Sequence, residues 1–145
     1  MKVVYPVIFT DVDTNILIEV PDLEIYTEAN DAKKKKGTLA DAVMMARDAI
    51  GLCCISREDH GEDIPAPTNI NDINMKESAF YAEDKTFVSV VDVDLAVYRQ
   101  KNDMKMVRRN VTLPNWLNRE AEAAHINVSR VLQEALLSTL GLNKS

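Results

Sequence analysis

Apolar and polar residues follow two different periods along this chain, and each change of period marks a new part. Val3 to Thr10 (VVYPVIFT) is a run of β-branched and aromatic residues broken by Pro6. It predicts a strand, with the proline placing that stretch at an edge, a strand end or a bulge. The polar DVDTN and then Ile16 to Val20 (ILIEV) predict a β-hairpin with a loop of about four residues. A short third strand is expected around Ile25 to Ala29, beyond Pro21-Asp22. The period then becomes helical. Leu39, Ala42, Val43, Ala46, Ala49, Ile50 and Cys53 form one apolar stripe, with Met44 and Met45 adding bulk beside it. Thr38 starts this helix, and Asp41 three residues on completes a variant of the capping box. SREDHGEDIPAPTNINDIN predicts a loop with His60 exposed near its start. Thr86 to Val93 (TFVSVVDV) is a further strand, and DVDLAVYRQKND predicts a short helix leading into a linker. The order β-β-β-α-β describes a small sheet with one long helix on a face, an α+β design.

Beyond that linker the alternation returns in VRRNVTLP. Val107, Val111 and Leu113 share one face of an extended segment, and Arg108, Asn110 and Thr112 share the other. Pro114 suits a helix start, and a helix is expected in NWLNREAEAA with Leu117, Ala121 and Ala124 on one face and Trp116 beside it. The chain should turn at His125-Ile126-Asn127, since His and Asn tolerate a left-handed backbone better than most residues. Asn127 and Ser129 are both good N-caps for the next helix. That helix carries Val128, Val131, Leu132, Ala135, Leu136, Thr139 and Leu140 on one apolar face, and Gly141 ends it. A strand and two helices of this size cannot bury a core of their own, and the strand has no partner within the segment. Two copies with antiparallel strands and interlocked helices satisfy both needs.

Charge sharpens the division. Residues 1–104 hold eleven Lys and Arg against twenty Asp and Glu, a net −9, whereas residues 105–145 hold six against three, a net +3. An acidic body and a basic tail point to partners of opposite sign. The 46% hydrophobic and 28% charged content is that of a soluble globular protein, with no apolar run long enough for a membrane span and no signal-peptide pattern, so a cytoplasmic location is expected. Adjacent Cys53 and Cys54 suit neither a disulfide framework nor a metal site, and are read as small apolar residues near a helix end. The lysine run within Lys33 to Lys36 is read as a solvated loop. Asp11, Asp13, Asp48, Asp92 and Asp94 fall at or near element ends and could converge on divalent ions as in a nuclease. No catalytic motif accompanies them, so no catalytic residue, cofactor or metal is assigned and the chain is not expected to be an enzyme.

KMVRRNVTLPNWLNREAEAAHINVSRVLQEAL resembles the ribbon-helix-helix DNA-binding domains, the family of the Arc and MetJ repressors. The resemblance implies base contacts by Arg108, Asn110 and Thr112, and a DNA phosphate held at Asn127, Val128 and Ser129. It also implies an intertwined dimer whose core is Val107, Val111, Leu113, Trp116, Leu117, Val131, Leu132 and Leu136. Taken with YPVIF, VPDL, TLADAVMMARDAI and FVSVVDVDLAVYRQ, the whole chain resembles the HicB antitoxins of type II toxin–antitoxin systems. EIYTEANDAKKKKGT stands where that family usually has a Gly-rich segment. The resemblance implies a degenerate ribonuclease H-like toxin-binding domain in residues 1–100, a linker at 101–105, and a DNA-binding and dimerisation domain at 106–145. The implied partners are a HicA-type ribonuclease toxin, double-stranded operator DNA and a second copy of the chain, with higher-order toxin–antitoxin assembly allowed and no membrane. Which residues within 1–100 meet the toxin does not follow from the sequence. The function implied is neutralisation of the toxin and repression of the shared promoter. The other reading left open by the residues is a stand-alone, ligand-responsive ribbon-helix-helix repressor.

Overall fold

A computed structural model describes residues 1–30, 35–102 and 106–142. Contacts divide the chain into two compact units, 1–105 and 106–145. The first has the order β1 (Lys2–Asp11), β2 (Ile16–Val20), β3 (Ile25–Glu28), α1 (Leu39–Asp59), β4 (Thr86–Asp94) and α2 (Leu95–Asn102). The four strands form one antiparallel sheet in the order β3-β2-β1-β4. With the two helices of the second unit, the chain is a mixed α+β protein.

Pro6 is reconciled with a central strand by register. β1 pairs β4 along nearly its whole length, but its ladder with β2 begins only at Ile8↔Glu19. Bonds from Asp11 N to Lys85 O and from Leu95 N to Met1 O fix which residues of β1 face β4. By the alternation of an antiparallel ladder, the Pro6 nitrogen faces the β2 side, past the end of that pairing. The missing donor therefore breaks no bond. The hairpin turns at residues 12–15, closed by Val12 N donating to Asn15 O at 3.0 Å.

Thr38 caps α1 as expected. Its hydroxyl accepts from Asp41 N at 3.1 Å, and the Asp41 carboxylate accepts from Thr38 N at 2.8 Å. These hydrogen bonds hold the Asp41 pKa below its ordinary value. The buried line of the helix is Ala42, Ala46, Ile50 and Cys54, turned from the sequence stripe. Leu39 and Met44 are exposed, and Val43, Met45 and Cys53 flank the contact. The reason is volume. The facing side of the sheet presents Tyr5, Val7, Phe9, Ile18, Val20, Val91 and Val93, and small alanines let the helix approach a surface already filled by rings and branched chains. Both cysteines lie inside α1 with several residues of helix beyond them, and Cys54 is the buried one.

Residues 61–85 form a strap tied to the sheet at several points. The Tyr5 hydroxyl donates to Pro65 O, and burial together with nearby Cys54 pushes its pKa up to about 12, so it stays a donor. Thr68 then donates twice to Asp22, through N at 2.9 Å and through its hydroxyl. Beyond two 3-10 turns, Ile70–Asp72 and Met75–Glu77, Ser78 Oγ and Ala79 N both bond Glu19 Oε1, at 2.9 and 3.0 Å. Tyr5 lies on the helix-facing side of the sheet and Glu19 on the opposite side, so the strap passes around the sheet end and covers part of the second face. This accounts for burial of Ile8, Thr10 and Glu19 at positions where alternation alone would predict a wet face.

The second unit contains α3 (Asn115–Ala123) and α4 (Val128–Thr139), preceded by residues 106–114, which have no strand pairing among the described residues. Asn127 caps α4, its side chain accepting from Arg130 N at 3.1 Å. Both helices close in Schellman motifs. His125 N and Ile126 N donate to Glu122 O and Ala121 O, and Gly141 N and Leu142 N donate to Ser138 O and Leu137 O. The left-handed positions are His125 at φ 53° and Gly141 at φ 70°. Pro114 occupies the N-cap of α3. α2 runs through Asn102, into the span 101–105 expected as a linker, and residues 103–105 lie outside the described residues.

Candidate functional site

The residues expected to read DNA lie together on the segment before α3. Arg108, Asn110 and Thr112 are all exposed. None has a hydrogen bond or ion pair to another described residue, so their polar groups are available. At the start of α4, the first-turn N–H groups have no intrahelical acceptor. Asn127 takes that of Arg130, leaving those of Val128 and Ser129 pointing out of the helix end. The aligned peptide dipoles make such an end favourable for an anion.

The residues expected in a dimer core are exposed to a degree unusual for their chemistry. Val107 is 81% exposed, Trp116 67%, Val131 52% and Leu136 52%. Val111 and Leu117 are also exposed, while Leu113 and Leu132 are half-buried. Neither α3 nor α4 contains a buried residue. Large exposed apolar patches of this kind mark interaction surfaces.

Asp11 and Asp92, two of the carboxylates that could in principle have converged on a metal ion, stand apart. Asp11 ends β1 and pairs with Lys36, whereas Asp92 lies opposite Val4 near the other end of that strand and pairs with Arg47 at 3.2 Å. Seven residues of extended chain separate the two positions, roughly 20 Å. Asp94 caps α2 by accepting from Ala96 N. Among the described residues no three His, Cys, Asp or Glu side chains are grouped to hold a metal ion. Of the lysine run, Lys33 and Lys34 lie outside the described residues, Lys35 is exposed, and Lys36 is tied to Asp11.

Sequence reasoning missed a different acidic feature, the cavity between the strap and the sheet. It measures about 240 Å³ and is lined by Ile8, Glu19 and Pro21 below and by Asp72, Ile73 and Glu77 of the strap. Glu19 alternates with Ile18 and Val20 on β2, as a solvent-facing residue would. The strap that buries it has no periodic signal.

The profile of the HicB-like antitoxins of bacterial toxin–antitoxin systems matches residues 5–136, running through both units. The chain belongs to that family. No curated protein sequence matches it. The chain is also similar to a solved structure described as a toxin–antitoxin complex from Streptococcus pneumoniae. The identity is 20%, the match covers 96% of this chain and 99% of that one, and the TM-score is 0.56. At that identity the likeness is one of fold. As a HicB-like antitoxin the chain has a regulatory rather than a catalytic family background, and among its described residues no helix is long and apolar enough to cross a membrane.

Proposed function

We propose that the chain neutralises a HicA-type mRNA-cleaving ribonuclease by covering its active site, and that it represses its own operon as a dimer. The observation that carries this reading is the family match extending from residue 5 into α4, across both the acidic body and the basic tail. The body, read as a degenerate ribonuclease H-like domain, supplies the toxin-binding surface. Its net negative charge would speed encounter with a small basic protein.

The tail is read as a ribbon-helix-helix domain. Residues 107–113 of two copies pair antiparallel, placing Val107, Val111 and Leu113 against the helices and Arg108, Asn110 and Thr112 in the major groove. Trp116, Leu117, Val131, Leu132 and Leu136 then close the shared core. A two-stranded ribbon fits that groove, where Arg suits guanine O6 and N7 and Asn suits adenine N6 and N7. The N–H groups of Val128 and Ser129, beside Asn127, hold a backbone phosphate.

Two assays test the halves separately. An equimolar amount of the purified chain should abolish RNA cleavage by the toxin encoded beside its gene, and full residual cleavage would refute the first half. In a gel shift on the promoter, Arg108→Ala should cost about 1–3 kcal/mol and relax base preference at one position. An equal loss on random DNA would make Arg108 a phosphate contact instead.

A further inference from the structure

The strap over the second sheet face is long for a connection of its kind. Loops beyond about 12–15 residues without longer elements are uncommon in compact domains and are usually functional. This one spans residues 61–85, its only regular pieces are two three-residue turns, and it carries six Asp and Glu against two Lys. The cavity beneath it has apolar walls at Ile8, Pro21 and Ile73, and carboxylates at its floor and rim, Glu19, Asp72 and Glu77.

Glu19 makes the cavity more than an acidic patch. It is only 7% exposed, and Oε1 takes both strap hydrogen bonds. Oε2 has no hydrogen-bond partner among the described residues and keeps some accessible surface, and Glu19 lines the cavity. No described Lys or Arg forms an ion pair with Glu19, Asp72 or Glu77. A buried carboxylate without a cation is unfavourable, and a positive group entering the cavity would relieve it. At about 240 Å³ the space is below the range of about 300–1,000 Å³ typical of small-molecule sites. Apolar walls for a methylene stem and carboxylates for its charged head match one long basic side chain.

We propose that this cavity is the socket for a single arginine or lysine side chain of the toxin, which makes the strap part of the toxin-binding surface. The inference rests on the antitoxin reading above. The test is calorimetric titration of the full chain with the toxin encoded beside its gene. Glu19→Gln, which keeps an acceptor for Ser78 and Ala79, should weaken binding at least about tenfold. The rim pair Asp72→Asn with Glu77→Gln, on exposed residues, should weaken it less and flatten its salt dependence, and it decides the matter if Glu19→Gln fails to fold. Removal of two charges elsewhere on the strap, Glu62→Gln with Asp63→Asn, should leave affinity within about twofold of the parent. Parental affinity in both cavity variants would overturn the socket while leaving the antitoxin. So would a cavity that binds a divalent ion with no effect on toxin affinity. A parent chain that does not bind the toxin would overturn both readings.

Discussion

His125 stands at φ 53° in the Schellman turn between α3 and α4, a conformation that glycine adopts without steric cost. His125→Gly should therefore raise the stability of the C-terminal unit by up to about 1 kcal/mol, read from urea unfolding at fixed protomer concentration. A loss of stability would show that the ring makes contacts in the assembled state that outweigh the strain. Gly51 makes the opposite point. A Cβ built there would sit 2.9 Å from three atoms of the Tyr98 ring, whose hydroxyl bonds Asp48 O at 3.2 Å. Helix propensity alone favours Ala over Gly by about 1 kcal/mol. The clash should win, so that Gly51→Ala destabilises by about 1–3 kcal/mol in thermal unfolding. Much at this scale was legible. Thr38, Asp41, Asn127, His125 and Gly141 act through their own backbone, and local chemistry identifies them. Gly51 was not, because its partner lies 47 positions away and no periodicity relates the two.

Among the elements, the hairpin, the third strand, the long helix and the last strand fall where alternation and helical spacing place them. Register explains Pro6, and volume explains the turned face of α1. A stripe drawn from hydrophobicity favours Leu39 and Val43, but a helix lying against Tyr5, Phe9 and Ile18 needs Ala42 and Ala46 at the contact. Pro, Asn and Asp in the strap signal turns, and turn signals do not say what a turn-rich segment lies on. Glu19 shows the consequence: its position on β2 alternates like a wet residue, and only a segment about 60 positions later buries it. The apolar residues of α3 and α4 were legible as a face, and that face is exposed in the single chain.

For the whole molecule, the exposed faces of the C-terminal unit bear on the proposed dimer. If two copies share one core, its unfolding midpoint should rise with protomer concentration, whereas the midpoint of the body should not. Calorimetry across a hundredfold range of concentration checks this, and two concentration-independent transitions would mean that the second unit folds alone. The charge division fits the two kinds of partner proposed above, and the family match runs through both units. The central claim is that the acidic body holds a toxin. The most direct measurement is to co-express the tagged chain with the small reading frame beside its gene, purify on the tag, and express that neighbour alone. Recovery of a stoichiometric complex is expected, with growth arrest when the neighbour acts without this chain. A chain that emerges alone, as a dimer still bound to its promoter, would contradict the claim.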